Sequence, residues 1–202
     1  MRQGLCLASQ SPRRAELLRQ AGFDFWTYEP KVDESALEDE RPAELTERLS
    51  VKKAEAAVRA AAVGGEHPVC LGSDTVVALD DTILGKPTDG AEALRMLQCL
   101  SGRSHEVVTA VTVARGDWRE SRRVTSTVTF CRLPEEVIRA YCDTPEPYDK
   151  AGAYGIQGFG ASFVMSLSGS YSAVMGLPLY ETTELLALAG IHPGWKEGLC
   201  NE

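Results

Sequence analysis

The sequence has no long apolar run. Hydrophobic residues make up 44% of its 202 residues, but no stretch approaches the roughly 20 apolar residues that a membrane-spanning helix needs. The apolar run nearest the N-terminus, residues 5–8, is too short for the core of a signal peptide. We therefore expect a cytoplasmic protein that has no membrane partner.

Cysteine and histidine are sparse and scattered. The six cysteines include no C-x-x-C pair, and the three histidines, His67, His105 and His192, have no regular spacing to one another or to a cysteine. Zinc sites and disulfide frameworks depend on such spacing. We predict neither, and we assign no metal or catalytic role to the histidines.

Positive charge is in deficit. The chain has 21 Lys and Arg against 29 Asp and Glu, which gives a net charge of −8. A surface of this sign repels a phosphate backbone, so the composition disfavours a nucleic-acid partner. It does not exclude a small phosphorylated ligand, because a few local cations or a divalent metal can hold one inside an acidic protein.

What is present is a mixture of strand and helix patterns. Residues 5–8 form a short apolar strand, residues 42–64 repeat apolar side chains at helical intervals, and residues 69–79 form a strand that is interrupted at 72–75. The glycine-rich segment 149–160 predicts no regular element. Strands and helices are mixed along a chain long enough for a sizeable core, so the predicted fold class is α/β or α+β.

The first candidate site follows the first predicted strand. Ser11 is a natural N-cap and Pro12 suits the first helical position, so a helix should begin here after a polar loop that starts at Ser9. The N–H groups at a helix start bind anions, and Arg13 and Arg14 add two cations beside them. The spacing is equally compatible with an ordinary capped helix whose arginines are solvated.

A second candidate is Asp74, which lies inside the apolar strand 69–79. A buried carboxylate is costly unless it is paired, hydrogen-bonded or bound to a metal. Such a group suits metal coordination or general-base catalysis. The alternative is an aspartate at a bulge or strand end that caps a backbone turn. We favour the functional interpretation.

Three weaker signals lie elsewhere. Lys86 follows Gly85 just after a predicted strand and could neutralise a phosphate, but the pattern is not a P-loop and a turn lysine is the simpler interpretation. Gln157 lies in the glycine-rich segment, where its amide could read the edge of a base, or the segment could be a plain loop. Glu34 belongs to an acidic stretch that is typical of a solvated surface, although one of its members could ligate a cation.

Together, these motifs resemble the Maf family of nucleoside triphosphate pyrophosphatases. The resemblance covers residues 5 to about 191 and implies one domain over 1–191, followed by a tail at 192–202 that we expect to fray. Several separated motifs in the same order make the resemblance specific. Its markers are Leu7-Ala8-Ser9-x-Ser11-Pro12-Arg13-Arg14, Val32-Asp33-Glu34, Lys53-Ala54, Ser73-Asp74-Thr75, Gly85-Lys86-Pro87, Leu100-Ser101-Gly102-x-x-His105, the segment 149–158, Gly169-Ser170-Tyr171 and Gly176-Leu177-Pro178.

The resemblance implies a mixed sheet flanked by helices, arranged as two lobes around a deep cleft and related to the inosine triphosphate pyrophosphatases. It implies hydrolysis of a nucleoside triphosphate to the monophosphate and pyrophosphate, with water attacking the α-phosphorus and a divalent cation, Mg²⁺ or Mn²⁺, as cofactor. Asp74-Thr75 and the run that ends at Gln157 are similar to those of members that prefer dTTP and UTP. The resemblance also implies a homodimer.

The resemblance further implies roles for individual residues. Asp74 would be the catalytic base, and together with Glu34 it would ligate the metal. Arg13, Thr75 and Gln157 would determine substrate specificity. The phosphate-binding residues would be Ser9, Ser11, Arg13, Arg14, Lys53 and Lys86.

Other functions stay open at this point. The cleft could bind a nucleotide without hydrolysing it, which would suit a regulator linked to septum formation and cell division, or the substrates could be modified pyrimidine nucleotides. Ala173 stands where many family members carry Asn, so the support of the cleft could differ here. The intact Asp74 and its set of cations favour an enzyme.

Overall fold

The computed structural model describes residues 4–80 and 82–197, the last two by their backbone alone. These residues form seven strands and seven α-helices. The strands are β1 (Leu5–Ala8), β2 (Phe25–Tyr28), β3 (Val69–Leu79), β4 (Thr82–Leu84), β5 (Ser104–Arg115), β6 (Trp118–Phe130) and β7 (Val164–Ser168). The helices are α1 (Pro12–Gln20), α2 (Pro42–Val63), α3 (Gly90–Leu100), α4 (Glu135–Cys142), α5 (Tyr171–Val174), α6 (Leu179–Leu188) and α7 (Gly194–Glu197). Three short 3-10 helices follow α4: Glu146–Asp149, Ala151–Ala153 and Phe159–Phe163.

The strands form one mixed sheet with the order β2-β1-β3-β5-β6-β7, and β4 pairs with β3. β1 is parallel to both β2 and β3, whereas the long strands β3, β5 and β6 pair antiparallel. α2 packs on β3 and β5, and α5 and α6 contact β5 and β6. The predicted fold class, a mixed sheet flanked by helices, is confirmed.

The apolar core has two large clusters that share β5. One cluster joins α3 and α4 to the sheet around Phe130, and the other joins α1 and α6 to it around Leu18. Val107 of β5 belongs to the first cluster and Val111 of β5 to the second. Members of both clusters line the cleft described below, which agrees with the predicted arrangement of two lobes around a cleft.

The predicted interruption of the strand at 72–75 is wrong, because β3 is continuous from Val69 to Leu79. Glycine often interrupts a strand, but here Gly72 lets α2 pack directly on the strand backbone. A Cβ at this position would lie 2.3 Å from the carbonyl oxygen of Ser50 and 2.6 Å from the amide nitrogen of Ala54. Glycine therefore sets the distance between α2 and β3.

The segment 149–160 forms no single regular element: a short 3-10 turn, Ala151–Ala153, lies within it, and Gly152 and Ala153 both have positive φ there. Part of the predicted tail contacts the end of α1, where Nε1 of Trp195 donates to the carbonyl oxygen of Ala21 (3.1 Å) and the N–H of Gly194 donates to that of Gly22 (2.8 Å). That the tail frays stays a prediction. The rest of the predicted tail, residues 198–202, lies outside the described residues.

Among the residues that the structure describes, no helix is both long enough and apolar enough to cross a membrane. The assignment of residues 1–191 to a single domain, the homodimer and the cytoplasmic location stay predictions.

Candidate active site

A cleft of about 970 Å³ opens at a gap in the edge of β3. β1 ends at Ala8, opposite Gly72, and β4 pairs with β3 only from Val77 onward. Within the described part of the chain, residues 73–76 therefore have no partner strand on this edge. The predicted site residues all line the cleft: Ser9, Ser11, Arg13, Arg14, Glu34, Lys53, Asp74, Thr75, Lys86 and Gln157.

One wall of the cleft is the connection from β1 to α1. Ser11 caps the helix, with its Oγ accepting from the N–H of Arg14 (3.5 Å), and Pro12 occupies the first turn. The Oγ of Ser9 accepts from the N–H of Ser11 (3.1 Å) and from Nη1 of Arg14 (3.3 Å). The predicted strand, serine loop and capped helix are confirmed, and the positive end of the helix dipole lies at the cleft.

Arg14 is held by the protein rather than solvated. Its Nε donates to the carbonyl oxygen of Gly176 (2.8 Å) and its Nη2 donates to Oγ1 of Thr75 (3.3 Å). Burial lowers the pKa of Arg14, while the charges of Asp74 and Glu34 oppose that shift. A guanidinium remains protonated under such conditions, so Arg14 provides a fixed positive charge at the cleft.

Arg13 makes an ion pair at the mouth of the cleft. Its Nη1 donates to Oδ2 of Asp149 at 3.0 Å. Asp149 also pairs with Lys150, its neighbour in the chain. The Arg13 and Asp149 side chains are partly exposed, at 31% and 61%, so a ligand anion can compete with Asp149 for the guanidinium.

Lys53 joins two carboxylates at another wall of the cleft. Its Nζ lies 2.7 Å from Oδ1 of Asp74 and 2.7 Å from Oε1 of Glu34. Lys53 and Asp74 are only 5% and 6% exposed, whereas Glu34 is exposed. The close packing of α2 on β3 at Gly72 brings Lys53 against Asp74.

Burial and charge shift the pKa values of the two acids in opposite directions. Burial raises the pKa of Asp74, although the charges of Lys53 and Arg14 work against it. Partial burial also raises the pKa of Glu34, but the hydrogen bond and charge of Lys53 outweigh that effect and leave the pKa lowered. Asp74 is therefore the better proton acceptor of the two, and Glu34 stays ionised.

Thr75 lies on the face of β3 opposite to Asp74, because successive side chains of a strand alternate. Its Oγ1 lies within hydrogen-bonding distance, 3.0 Å, of Oγ1 of Thr109, its cross-strand neighbour on β5. Thr109 also contacts the carbonyl oxygen of Ala173 at 2.7 Å. Ala173 is fully buried, and its contact to Thr109 is made by the backbone, which does not depend on the side chain at this position.

Lys86 and Gln157 complete the predicted set. Both are exposed, and neither has a hydrogen-bond partner among the described residues. Lys86 follows β4 and lies near enough to Glu34 for its charge to contribute to the lowered pKa of that carboxyl. Gln157 lies between the second and third 3-10 helices. Both side chains are available to a ligand.

Comparison with known proteins identifies the family of this chain. Residues 4–189 match the family described as Maf-like protein. This chain belongs to the Maf family. Three curated relatives are named dTTP/UTP pyrophosphatase. The protein of Pseudoalteromonas atlantica is 51% identical, and the match covers 91% of this chain and 95% of the relative. The protein of Symbiobacterium thermophilum is 50% identical, with 93% of this chain and 95% of the relative covered, and that of Vibrio vulnificus is 50% identical, with 90% of this chain and 96% of the relative covered.

Among solved structures, the dITP/XTP pyrophosphatase of Mycobacterium abscessus aligns with 93% of this Maf chain and 96% of its own, with a TM-score of 0.46 and 16% identity.

The Maf cleft offers two carboxylates to a divalent cation. Among the described residues, no group of three or more His, Cys, Asp or Glu side chains could enclose a metal ion. Mg²⁺, however, commonly uses one or two carboxylates and completes its coordination with water and substrate phosphates. Glu34 and Asp74, which meet at Lys53, fit a cation that arrives together with a triphosphate.

Glu146 and Thr109, which hold parts of the Maf cleft region in place, have no predicted role from the sequence. Glu146 lines the cleft and accepts a hydrogen bond from the loop that follows Gln157. The sequence feature that could have indicated Glu146 is its position as a carboxylate between Pro145 and Pro147, directly before a glycine-rich segment. Thr109 gives no such signal, because it lies in a strand rich in Val and Thr, where its role depends on the register with β3.

Proposed function

We propose that this Maf protein is a nucleoside triphosphate pyrophosphatase that hydrolyses dTTP and UTP, and related modified pyrimidine nucleotides, to the monophosphate and pyrophosphate. Curated relatives that are about 50% identical over nine-tenths of the chain are named dTTP/UTP pyrophosphatase. The observation that carries the proposal is the buried pair of Asp74 and Lys53, with Glu34 on the same ammonium. It lies in a cleft whose volume, about 970 Å³, accommodates a nucleotide.

The triphosphate would bind along the cationic side chains of the cleft. Arginine can contact phosphate oxygens with two N–H groups, and Arg13 would exchange Asp149 for a phosphate. The start of α1 adds backbone N–H groups. As pyrophosphate leaves, these groups would stabilise the developing negative charge. The full set is Ser9, Ser11, Arg13, Arg14, Lys53 and Lys86.

Asp74 would act as the general base. A water oxygen would form a bond to the α-phosphorus while its proton passes to the Asp74 carboxylate. The bond from the α-phosphorus to the oxygen that bridges it to the β-phosphate would break, and pyrophosphate would leave with that oxygen. A raised pKa makes the carboxylate a stronger base, and Lys53 would hold it in position.

Glu34 and Asp74 would hold Mg²⁺ or Mn²⁺ together with the triphosphate. When bound, the cation would neutralise phosphate charge and make the α-phosphorus more electrophilic. The chain itself supplies the oxygen donors and, through Lys53, keeps the two carboxylates close together.

Arg13, Thr75 and Gln157 would set the preference for thymine and uracil. The Gln157 amide has both a donor and an acceptor, which suits the alternating groups on the edge of a pyrimidine. Thr75 has a hydroxyl whose orientation is restricted by Arg14 and Thr109. A site that hydrogen-bonds one base edge rejects a base with the opposite donor pattern, because buried polar groups are then left unpaired.

The test is pyrophosphate release from dTTP, UTP, CTP, ATP and 7-methyl-GTP with Mg²⁺ or Mn²⁺, and with EDTA as the control. We expect release from dTTP and UTP that EDTA abolishes. Release from 7-methyl-GTP or purine nucleotides alone would contradict the roles of Thr75 and Gln157. Nucleotide binding without any release would contradict hydrolysis and favour a nucleotide-binding regulator.

A further inference from the structure

The loop that carries Gln157 is wrapped around the carboxylate of Glu146. Oε1 of Glu146 accepts from the hydroxyl of Tyr141 (2.9 Å) and from the N–H of Gly160 (3.0 Å). Oε2 accepts from the N–H of Phe159 (2.9 Å). Three donors therefore converge on one side chain, and two of them are backbone groups of the residues that directly follow the Gln157 turn.

The glycines of this loop admit the carboxylate. A Cβ at Gly158 would lie 2.2 Å from Oε2 of Glu146, and a Cβ at Gly155 would lie 3.0 Å from Oε1. Both glycines flank the Ile156-Gln157 step. Glycines often mark the close approach of a ligand to the backbone, but here the group that approaches the backbone is a side chain of the protein itself.

The arrangement depends on an acceptor at both oxygens. An ionised carboxylate only accepts hydrogen bonds, so it can satisfy the Tyr141 hydroxyl and the two amides at once. Partial burial raises the pKa of Glu146, but the hydrogen bonds from Gly160, Phe159 and Tyr141 outweigh that effect and leave the pKa lowered. A glutamine at this position would replace one oxygen acceptor with an NH₂ donor. That NH₂ group would then point at one of the three groups that donate to Glu146, and two donors would face each other.

We propose that Glu146 is a positioning residue for base selection: its carboxylate fixes the 155–160 loop so that Gln157 presents its amide to the pyrimidine. The inference rests on the proposed function, because it assigns Gln157 to the base. Glu146 itself lies within the same cleft, but its two oxygens are occupied by the loop and by Tyr141, so it acts through Gln157.

The test compares wild type, Glu146→Gln, Gln157→Ala and the double variant for hydrolysis of UTP and CTP. We expect Glu146→Gln to lower kcat/KM for UTP by about 10-fold, mainly through KM, in line with the loss of one charge-assisted contact. The UTP:CTP preference should fall with it. Because Glu146 acts through Gln157, the double variant should lose no more than Gln157→Ala alone.

Glu135→Gln is the matched control, because Glu135 is exposed on α4 and, within the described part of the chain, its ion-pair partner is Arg139 alone. It should leave the UTP:CTP preference unchanged. Tyr141→Phe is the second variant. It removes one donor from the carboxylate and the acceptor of the Gly155 N–H, and it keeps the ring that packs on Phe163. We expect it to shift the preference in the same direction.

Several outcomes would overturn the inference. They are an unchanged UTP:CTP preference in folded Glu146→Gln and Tyr141→Phe, additive losses in the double variant, or an equal loss of kcat on both substrates. If wild type hydrolyses neither UTP nor CTP, the proposed function fails, and the same comparison is made on dissociation constants. If the ratio of the UTP and CTP dissociation constants were then the same in wild type and variants, the inference would be overturned as well.

Discussion

The Lys53 ammonium is shared by two acids whose pKa values move apart. Asp74 is buried and has a raised pKa, while Glu34 is exposed, bonded to the same ammonium, and has a lowered one. Two acids in environments that push their pKa values in opposite directions can divide the work of proton transfer and charge stabilisation between them. The residue chemistry of this cleft therefore supports a base at Asp74 and a permanent anion at Glu34.

His105 gives a prediction that concerns stability rather than catalysis. It is 2% exposed, and burial lowers its pKa from 6.5 to about 4. Its Nε2 contacts the Tyr154 hydroxyl, whereas Nδ1 has no hydrogen-bond partner among the described residues. The unfolded chain thus binds the proton more readily than the folded chain, so this contribution to stability is complete above pH 6.5 and is lost as the pH falls toward 4.

The measurement is urea unfolding of wild type and His105→Gln between pH 4 and pH 8. The stability of wild type should fall by ~3 kcal/mol more than that of the variant over the lower part of this range, since each pKa unit corresponds to about 1.4 kcal/mol. His67→Gln is the control, because His67 is exposed. If the unfolding free energies of wild type and His105→Gln changed in parallel with pH, His105 would not be a buried neutral group.

At the scale of elements, the contact between α2 and β3 places Lys53. Replacing Gly72 by alanine would put a Cβ 2.3 Å from the Ser50 carbonyl oxygen, so α2 must shift away from the strand. We expect Gly72→Ala to lower the free energy of unfolding by about 1–3 kcal/mol, as for other overpacked sites. Pyrophosphate release should fall more than in a surface variant, because Lys53 moves with α2.

Gly64→Ala is the control for this variant. Gly64 ends α2 with a φ of −86°, and a Cβ there would meet nothing closer than 3.4 Å. Its stability and activity should stay close to those of wild type. A Gly72→Ala protein that is equally stable and active would show that the helix does not depend on this close approach.

The elements could be predicted where local chemistry determines them. The start of α1 follows from Ser11 and Pro12, whose capping preferences act within one turn. The continuity of β3 could not be predicted in the same way. In the sequence, Gly72 suggests an interrupted strand, and only the packing of α2 on Gly72 explains why a glycine stands inside a continuous one. The contacts of Glu146 could not be predicted for a related reason: its position between two prolines is visible in the sequence, but its donors come from residues 13 and 14 positions away as well as from α4.

At the scale of the molecule, one sheet passes through both large core clusters. β5 supplies Val107 to one and Val111 to the other, so neither cluster can lose its strands without disrupting the other. We expect a single cooperative unfolding transition in urea, with coincident midpoints from tryptophan fluorescence and far-UV circular dichroism. Two separated transitions would contradict the prediction that residues 1–191 form one domain.

The most direct measurement on the central claim is single-turnover hydrolysis of dTTP by Asp74→Asn, with dTTP binding measured on the same protein and Asp117→Asn, an exposed site in the β5–β6 turn, as the control. If Asp74 is the base, turnover should fall on the order of 10²-fold or more, while binding and cooperative unfolding are retained. Near-full turnover in Asp74→Asn would contradict the account, and so would a loss of turnover that is explained entirely by a loss of binding.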